Sequence, residues 1–204
     1  FQPYYILHDM TFTLTSFIFI LILAPLTGLA GGFFRRFFQW AEKNQTKSKS
    51  ILWQLPAIAL MTGLVAYFFP EIMGNGRSLA QFAINSQQMH LVVVLVCGAL
   101  LKVIITVLTI RAGAAGGTLT PSIAVGSALG AVLVLLLNFF LPGVSVGQGA
   151  ILGAGTLLAA SQQAPFMAMF MLIEITHLNY SALLPLALGI IISSAVSRKV
   201  LSKS

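Results

Sequence analysis

The segment GAAGGTLTP at residues 113–121 contains the residues best suited to binding a ligand, and it separates two long apolar runs. Pro121 suits the first turn of a helix, where its missing N–H would have no partner in any case. Gly116 and Gly117 allow a tight bend and let a ligand approach the backbone, and Thr118 and Thr120 add hydroxyl groups that can cap the turn. A helix that begins here presents unpaired N–H groups and partial positive charge, which favour an anion. The predicted anion-binding residues are Gly116, Gly117, Thr118, Leu119 and Thr120.

The same glycines have a second interpretation. Small residues often let two membrane helices pack closely together, and the motif by itself does not separate this structural role from anion binding.

Two charged residues lie inside apolar runs and need a partner or a function. A charge at the centre of a membrane span costs at least about 2.5–3.5 kcal/mol on insertion scales, so Lys102 is expected to face the protein interior. Glu174, in FMLIEIT, is the predicted partner, through a contact or a shared polar network. The pair could orient helices or take part in the ion path, and Glu174 could also carry protons. Arg111, close to the break, could attract anions or reach towards water.

Catalytic and metal-dependent functions are not indicated. His8, His90 and His177 are scattered without the spacing of metal ligands, and no nucleophile lies beside a base. Cys97, inside an apolar run, needs no role beyond packing. The prediction is therefore a protein that is not an enzyme and that uses no metal or cofactor.

Composition places these residues in a membrane. Of the 204 residues 58% are hydrophobic and 7% charged, and the mean hydropathy is +0.96. Soluble domains carry about 25% charged residues, so we expect an integral membrane protein. Most of the net charge of +7 lies in two basic clusters that flank apolar runs. Such clusters are typical of cytoplasmic loops, and without interleaved aromatic residues they do not predict a nucleic-acid partner.

The apolar runs predict helices of unequal length. A bilayer core of about 30 Å needs about 20 helical residues, whereas several runs near the C-terminus hold only 12–16. Short segments interrupted by Gly and Pro are typical of broken helices that meet inside a transporter or channel. The prediction is an all-α membrane protein with broken and re-entrant helices: a long tilted helix at 12–43, and spans or half-helices at about 51–69, 77–86, 91–110, 119–141, 149–160, 165–176 and 181–197.

Two motifs resemble the CLC family of chloride channels and proton/chloride antiporters. The stretch KVIITVLTIRAGAAGGTLTP is similar to the family pattern K-x-x-x-T-x-x-T-x-x-x-G-x-x-G-G-x-F-x-P. A second pattern, G-x-x-A-x-L-A-A-x-x-x-A-P…E-x-T-x-x-Y-x-x-x-x-P, matches the stretch from Gly155 through Glu174 to Pro185. Over the rest of the chain, the lengths of the predicted helices agree with those of the family.

The resemblance implies a fold and a set of partners. Residues 1–204 would be the C-terminal half of a CLC-type transmembrane domain, the second of two inverted repeats. The partners would then be the N-terminal half of the same protein, a second copy in a homodimer, the lipid bilayer of a bacterial inner membrane, and small anions. Gly74-Asn75-Gly76 would be the counterpart of the first half's anion-binding loop.

The resemblance also implies an activity. The backbone N–H groups of Thr118 and Leu119 would bind the permeating anion, chloride, in a voltage-gated-type channel or a proton/chloride antiporter. The family pattern has Phe where this chain has Leu119, so a fluoride or other-anion exporter is an alternative. A further alternative is a membrane assembly subunit that transports nothing.

Overall fold

The computed structural model describes residues 13–70, 76–140, 143–177 and 182–202, and the regular structure in these ranges is helical. The helices, in chain order, are α1 (Leu14–Lys43), α2 (Ile51–Phe68), α3 (Arg77–Asn85), α4 (Leu91–Arg111), α5 (Leu119–Leu137), α6 (Val146–Gln162), α7 (Pro165–Thr176) and α8 (Leu183–Ser202).

Five of the described helices, α1, α2, α4, α5 and α8, are long and apolar enough to cross a bilayer. Helix α7, an apolar helix of 12 residues, is too short to do so alone. Nearly the whole of α6 is buried among its neighbours. The chain is therefore part of a multi-pass integral membrane protein, with short helices enclosed by longer ones.

Helix α1 continues across the residues that interrupt its apolar sequence. Pro25 lies inside the helix, and its 30 residues span about 45 Å, well beyond the thickness of a bilayer core. Its glycines form a contact face: a methyl group at Gly28 would lie 2.7 Å from the carbonyl oxygen of Ser193 on α8. One at Gly31 would lie 2.5 Å from Cβ of Ala160 on α6. These glycines therefore allow close packing and do not break the helix.

Helix α6 extends beyond the predicted segment 149–160 at both ends, because the polar residues that flank this segment are also helical. Ser145 is the N-cap, and its hydroxyl accepts a hydrogen bond from the N–H of Gln148 at 3.2 Å. The Gln148 side chain in turn accepts from the N–H of Ser145 at 3.1 Å. This reciprocal capping box satisfies two backbone donors and starts the helix at Val146.

Helices α5 and α6 form the central pair of the fold, packed through glycines. Methyl groups at Gly126 and Gly130 would run into the carbonyl oxygens of Gly153 and Gly149. Each helix thus carries two glycines four residues apart, and the two backbones touch, as in membrane helix pairs with small residues at the contact.

Helix α2 lies at the periphery. Only Ala66 on it is buried, and among the described helices it packs on α4 alone. Trp53 and Tyr67, near its two ends, are exposed, a placement typical of aromatic residues at membrane–water interfaces.

Candidate anion-binding site

The loop between α4 and α5 turns at Gly113. Its φ of +107° lies in the left-handed region, which glycine adopts at little cost. A methyl group there would lie 3.0 Å from the side chain of Ile51 and 3.1 Å from the carbonyl oxygen of Thr46. Both the backbone conformation and the neighbouring atoms therefore favour glycine at position 113.

After this turn the backbone presents a row of N–H donors. The N–H of Ala114 still donates to Thr109 at 3.2 Å, and helical bonding resumes where the N–H of Ser122 donates to Thr118 at 3.1 Å. Between them, the N–H groups of residues 115–120 donate to no acceptor in the described part of the chain. Pro121 has no N–H. Six consecutive donors at the start of a 19-residue helix form a region of positive potential.

Gly116 and Gly117 leave this backbone open. A methyl group at either would meet no atom within 4 Å, and neither has a positive φ. Helix packing therefore does not require glycine at these positions, in contrast to Gly126 and Gly130. Their effect is to leave the N–H groups accessible, as close approach of a ligand requires.

A cavity of about 850 Å³ adjoins the start of α5. Its wall includes Gly117 of the loop, Thr120 and Pro121 of α5, and Lys102, Thr106 and Thr109 of α4, with α2 on the opposite side. The hydroxyls of Thr106 and Thr109 donate to backbone carbonyls one turn earlier, both at 2.7 Å. The backbone N–H groups at the start of α5 are donors that could meet an anion there.

The other side of the α5 start is tied to the end of α6. The Gln162 amide donates to the Thr118 hydroxyl at 3.0 Å, and the Ser161 hydroxyl donates to that of Ser122 at 2.9 Å. Arg35 of α1 donates to the carbonyl oxygen of Ser161 at 2.9 Å, which places a cation at the negative end of α6.

These supporting residues were not singled out from the sequence. The polar run Ser161-Gln162-Gln163 marks the end of an apolar stretch, but nothing in it indicates that it faces Thr118 across more than forty residues. A smaller cavity of about 210 Å³ lies on this side, lined in part by Arg35, Glu42 and Gln162.

The structure does not bring Lys102 and Glu174 together. Lys102 is 4% exposed and lies in the wall of the large cavity, whereas Glu174 is exposed on α7. Helix α4 packs against α5 and its neighbours, while α7 packs against α6 and α8, and α4 and α7 do not contact each other. The direct contact expected between the two side chains is therefore not formed.

Arg111 lies outside the cavity wall. It is exposed at the end of α4, and its guanidinium carbon lies 5.2 Å from the centre of the Trp40 ring, a cation–π distance.

The remaining candidates are dispersed. His90 precedes α4 and His177 follows α7, and no group of three potential metal ligands lies together within the described ranges. Gly76 is the left-handed N-cap of α3. Gly74, Asn75 and His8 lie outside the described residues.

Comparison with known proteins gives a consistent result. A family model described as voltage gated chloride channel matches residues 1–198. The voltage-gated ClC-type chloride channel ClcB of Salmonella typhimurium is 30% identical over 187 residues, which are 87% of this chain and 43% of that protein. ClcB of Escherichia coli O81 is 31% identical over 151 residues, or 72% and 35%. The chain thus spans less than half the length of these relatives.

Solved structures share the fold. The crystal structure of a slow cyanobacterial Cl⁻/H⁺ antiporter matches with a TM-score of 0.77 and 25% identity, over 96% of this chain and 46% of that one. A CLC-type fluoride/proton antiporter matches with a TM-score of 0.68 and 22% identity, over 98% and 47%. The second match carries information on the fold alone.

Proposed function

This chain belongs to the voltage-gated chloride channel family, and from that premise we propose that it forms part of a membrane protein that transports small anions, chloride foremost. The anion is held at the start of α5 by backbone N–H groups, chiefly those of Thr118 and Leu119. No covalent step on the anion is involved.

The observation that carries the proposal is the row of donors at residues 115–120 beside an open cavity. A partly dehydrated anion loses hydrogen bonds from water, and N–H groups at a helix start replace them without a full positive charge. Backbone donors also bind without the long residence that a tight ion pair would impose, which suits a permeating ion.

The rest of the transport path requires further chain. We propose that the N-terminal half of the same protein packs against this one as an inverted repeat, and that two copies form a homodimer in a bacterial inner membrane. The names of the relatives support a chloride substrate. Leu119 stands where the family pattern has Phe, so fluoride is the alternative substrate that an experiment must include.

The test is anion flux from liposomes that contain the intact protein. Chloride efflux is followed with a selective electrode and external pH at the same time, and the internal salt is then replaced with fluoride. Chloride efflux well above that from empty liposomes is the expected result. Coupled proton movement would identify an antiporter, and its absence a channel.

Two outcomes would contradict parts of the proposal. Flux of fluoride without chloride would reassign the substrate. A folded, reconstituted protein without flux of either anion would favour a membrane assembly subunit.

A further inference from the structure

Four positively charged side chains surround the loop of residues 44–50, which joins α1 to α2. Lys43 ends α1, Lys47 and Lys49 lie within the loop, and Arg111 ends α4. All four residues are exposed. The loop is joined to the end of α4, since the N–H of its Thr46 donates to the carbonyl oxygen of Arg111 at 2.9 Å. The four charges are therefore held at one end of the molecule.

The uncharged polar side chains of this loop bind within the protein. The Gln45 amide donates to the carbonyl oxygen of Ala114 at 3.3 Å. The Thr46 hydroxyl donates to the side-chain oxygen of Gln54, in the first turn of α2, at 2.7 Å. These bonds fix the loop against both α2 and the turn that follows α4. The exposed lysines are thus presented on an ordered backbone.

Two exposed tryptophans flank the cations. Trp40 lies in the last turn of α1 with 47% of its surface exposed, and Trp53 lies in the first turn of α2 with 83% exposed. The guanidinium carbon of Arg111 lies 5.2 Å from the centre of the Trp40 ring. A methyl group at Gly113 would lie 3.0 Å from the side chain of Ile51, at the start of α2. The ends of α1 and α2 therefore meet the same turn, and the cations and rings adjoin one another. We call this surface the basic–aromatic rim, made up of Trp40, Lys43, Lys47, Lys49, Trp53 and Arg111.

The rim fits a negatively charged partner at the level of the lipid headgroups. Helices α1 and α2 are both long and apolar enough to cross a bilayer, and tryptophans at the ends of such spans lie at the membrane–water interface. Lysines and arginines beside a span attract anionic lipids. Glu42, the one carboxylate of α1, lies about 200° around the helix from Trp40. It lines the smaller cavity with Arg35 instead.

We propose that the basic–aromatic rim binds the headgroups of anionic phospholipids of the surrounding bilayer. The lysines and Arg111 contact the headgroup phosphates, and the two indole rings lie against the upper part of the acyl chains. This binding is separate from anion transport and does not depend on it. A bound lipid would hold the loop of residues 44–50, which is bonded to Arg111 and Ala114 where the anion-site loop begins.

Tryptophan fluorescence of the intact protein in bilayers tests the proposal. Trp40 and Trp53 are the two tryptophans of this chain, so the signal lost in Trp40→Phe with Trp53→Phe is the signal of the rim. The bilayers mix phosphatidylglycerol, which is anionic, with phosphatidylcholine, which has no net charge. Bromine on the upper acyl chain of one lipid or the other quenches a tryptophan that this lipid contacts. We expect the rim to prefer phosphatidylglycerol by at least about fivefold, the effect of one or more charges near the surface.

Charge variants assign this preference to the rim. Lys47→Gln with Lys49→Gln should reduce it to less than about twofold, whereas Lys47→Arg with Lys49→Arg should keep it. Arg198→Gln with Lys199→Gln is the matched control, because it removes two exposed charges near the end of α8. That control should leave the preference within about twofold of the wild type. Salt gives a second measurement on the unmodified protein: about 1 M salt shortens the screening length to about 3 Å and should weaken the preference.

Three results would overturn the proposal. Equal quenching by the two lipids in the wild type would show that the rings contact lipid without selecting its charge. Quenching by neither lipid would show that protein covers the rim. An equal loss of preference in the Lys47/Lys49 variant and in the Arg198/Lys199 control would show that the total charge of this end matters, and not the rim.

Discussion

Gly113 and Gly117 lie four residues apart in one loop, and a methyl group would have opposite consequences at the two positions. Gly113 has a left-handed φ and crowded surroundings, whereas Gly117 has neither. Both belong to the same glycine-rich stretch of the sequence, and only the surrounding atoms separate a turn from an open backbone.

Alanine substitutions should separate these roles. Gly113→Ala forces an alanine into the left-handed region at a cost of roughly 1–2 kcal/mol, so its melting temperature in detergent should fall by at least about 2 °C. Gly117→Ala should melt within about 1 °C of the wild type, because the added methyl meets no atom within 4 Å. It should nevertheless lower anion flux, since that methyl enters the wall beside the N–H donors. A Gly117→Ala protein with full flux and a lowered melting temperature would contradict this division.

At the scale of the helices, the local sequence predicts where a helix begins and ends along the chain, but not which other helices it packs against. The bounds of α7 match the predicted 165–176, and those of α2, α3 and α4 lie within about one residue of prediction, because apolar runs bounded by polar or glycine residues are a local signal. The predicted contact between Lys102 and Glu174 is not formed, because α4 packs against α5 while α7 packs against α6 and α8. Such pairings depend on long-range packing, which one sequence without aligned relatives does not reveal.

The α5–α6 contact should be the least tolerant part of the fold. Gly130→Val would drive a branched side chain into the backbone of Gly149. Overpacking of this kind costs typically 1–3 kcal/mol, so we expect a melting temperature lower by about 4 °C or more, or a failure to fold. The start of α5 would shift with it.

Gly63→Ala on α2 is the matched control for that change. Gly63 is exposed, and a methyl group there would meet no atom within 4 Å. Alanine is favoured over glycine in a helix by about 0.5–1 kcal/mol, so this variant should be at least as stable as the wild type. Equal destabilisation by the two substitutions would show that the glycine contact does not determine the helix pairing.

At the scale of the molecule, the basic residues near the end of α1 and the loop of the anion site lie at the same end. The N–H of Thr46, after α1, donates to the carbonyl oxygen of Arg111 at 2.9 Å. Near the same end of α1, Arg35 binds the end of α6 and Arg36 donates to the carbonyl oxygen of Val200 near the end of α8. Positive loops are retained on the cytoplasmic side, so the α4–α5 loop is expected to open towards the cytoplasm.

Cysteine labelling tests this orientation. In a Cys97→Ala background, Ser48→Cys in the exposed loop after α1 should react with a membrane-impermeant maleimide in inside-out vesicles and not in intact cells. Gln88→Cys, exposed at the opposite end of α4, should show the reverse pattern. Labelling of both positions from the same side would be incompatible with the arrangement of α4 as a span.

The central claim is that the anion rests on the backbone donors at the start of α5, and the location of bromide in crystals of the intact protein tests it most directly. Bromide replaces chloride chemically and is located by its anomalous scattering. The account predicts a bromide ion at roughly 3.2–3.5 Å from the N–H nitrogens of Thr118 and Leu119, somewhat beyond an N–H···O distance because the ion is larger. Bromide bound only at the basic surface, with none at these nitrogens at saturating concentration, would contradict it.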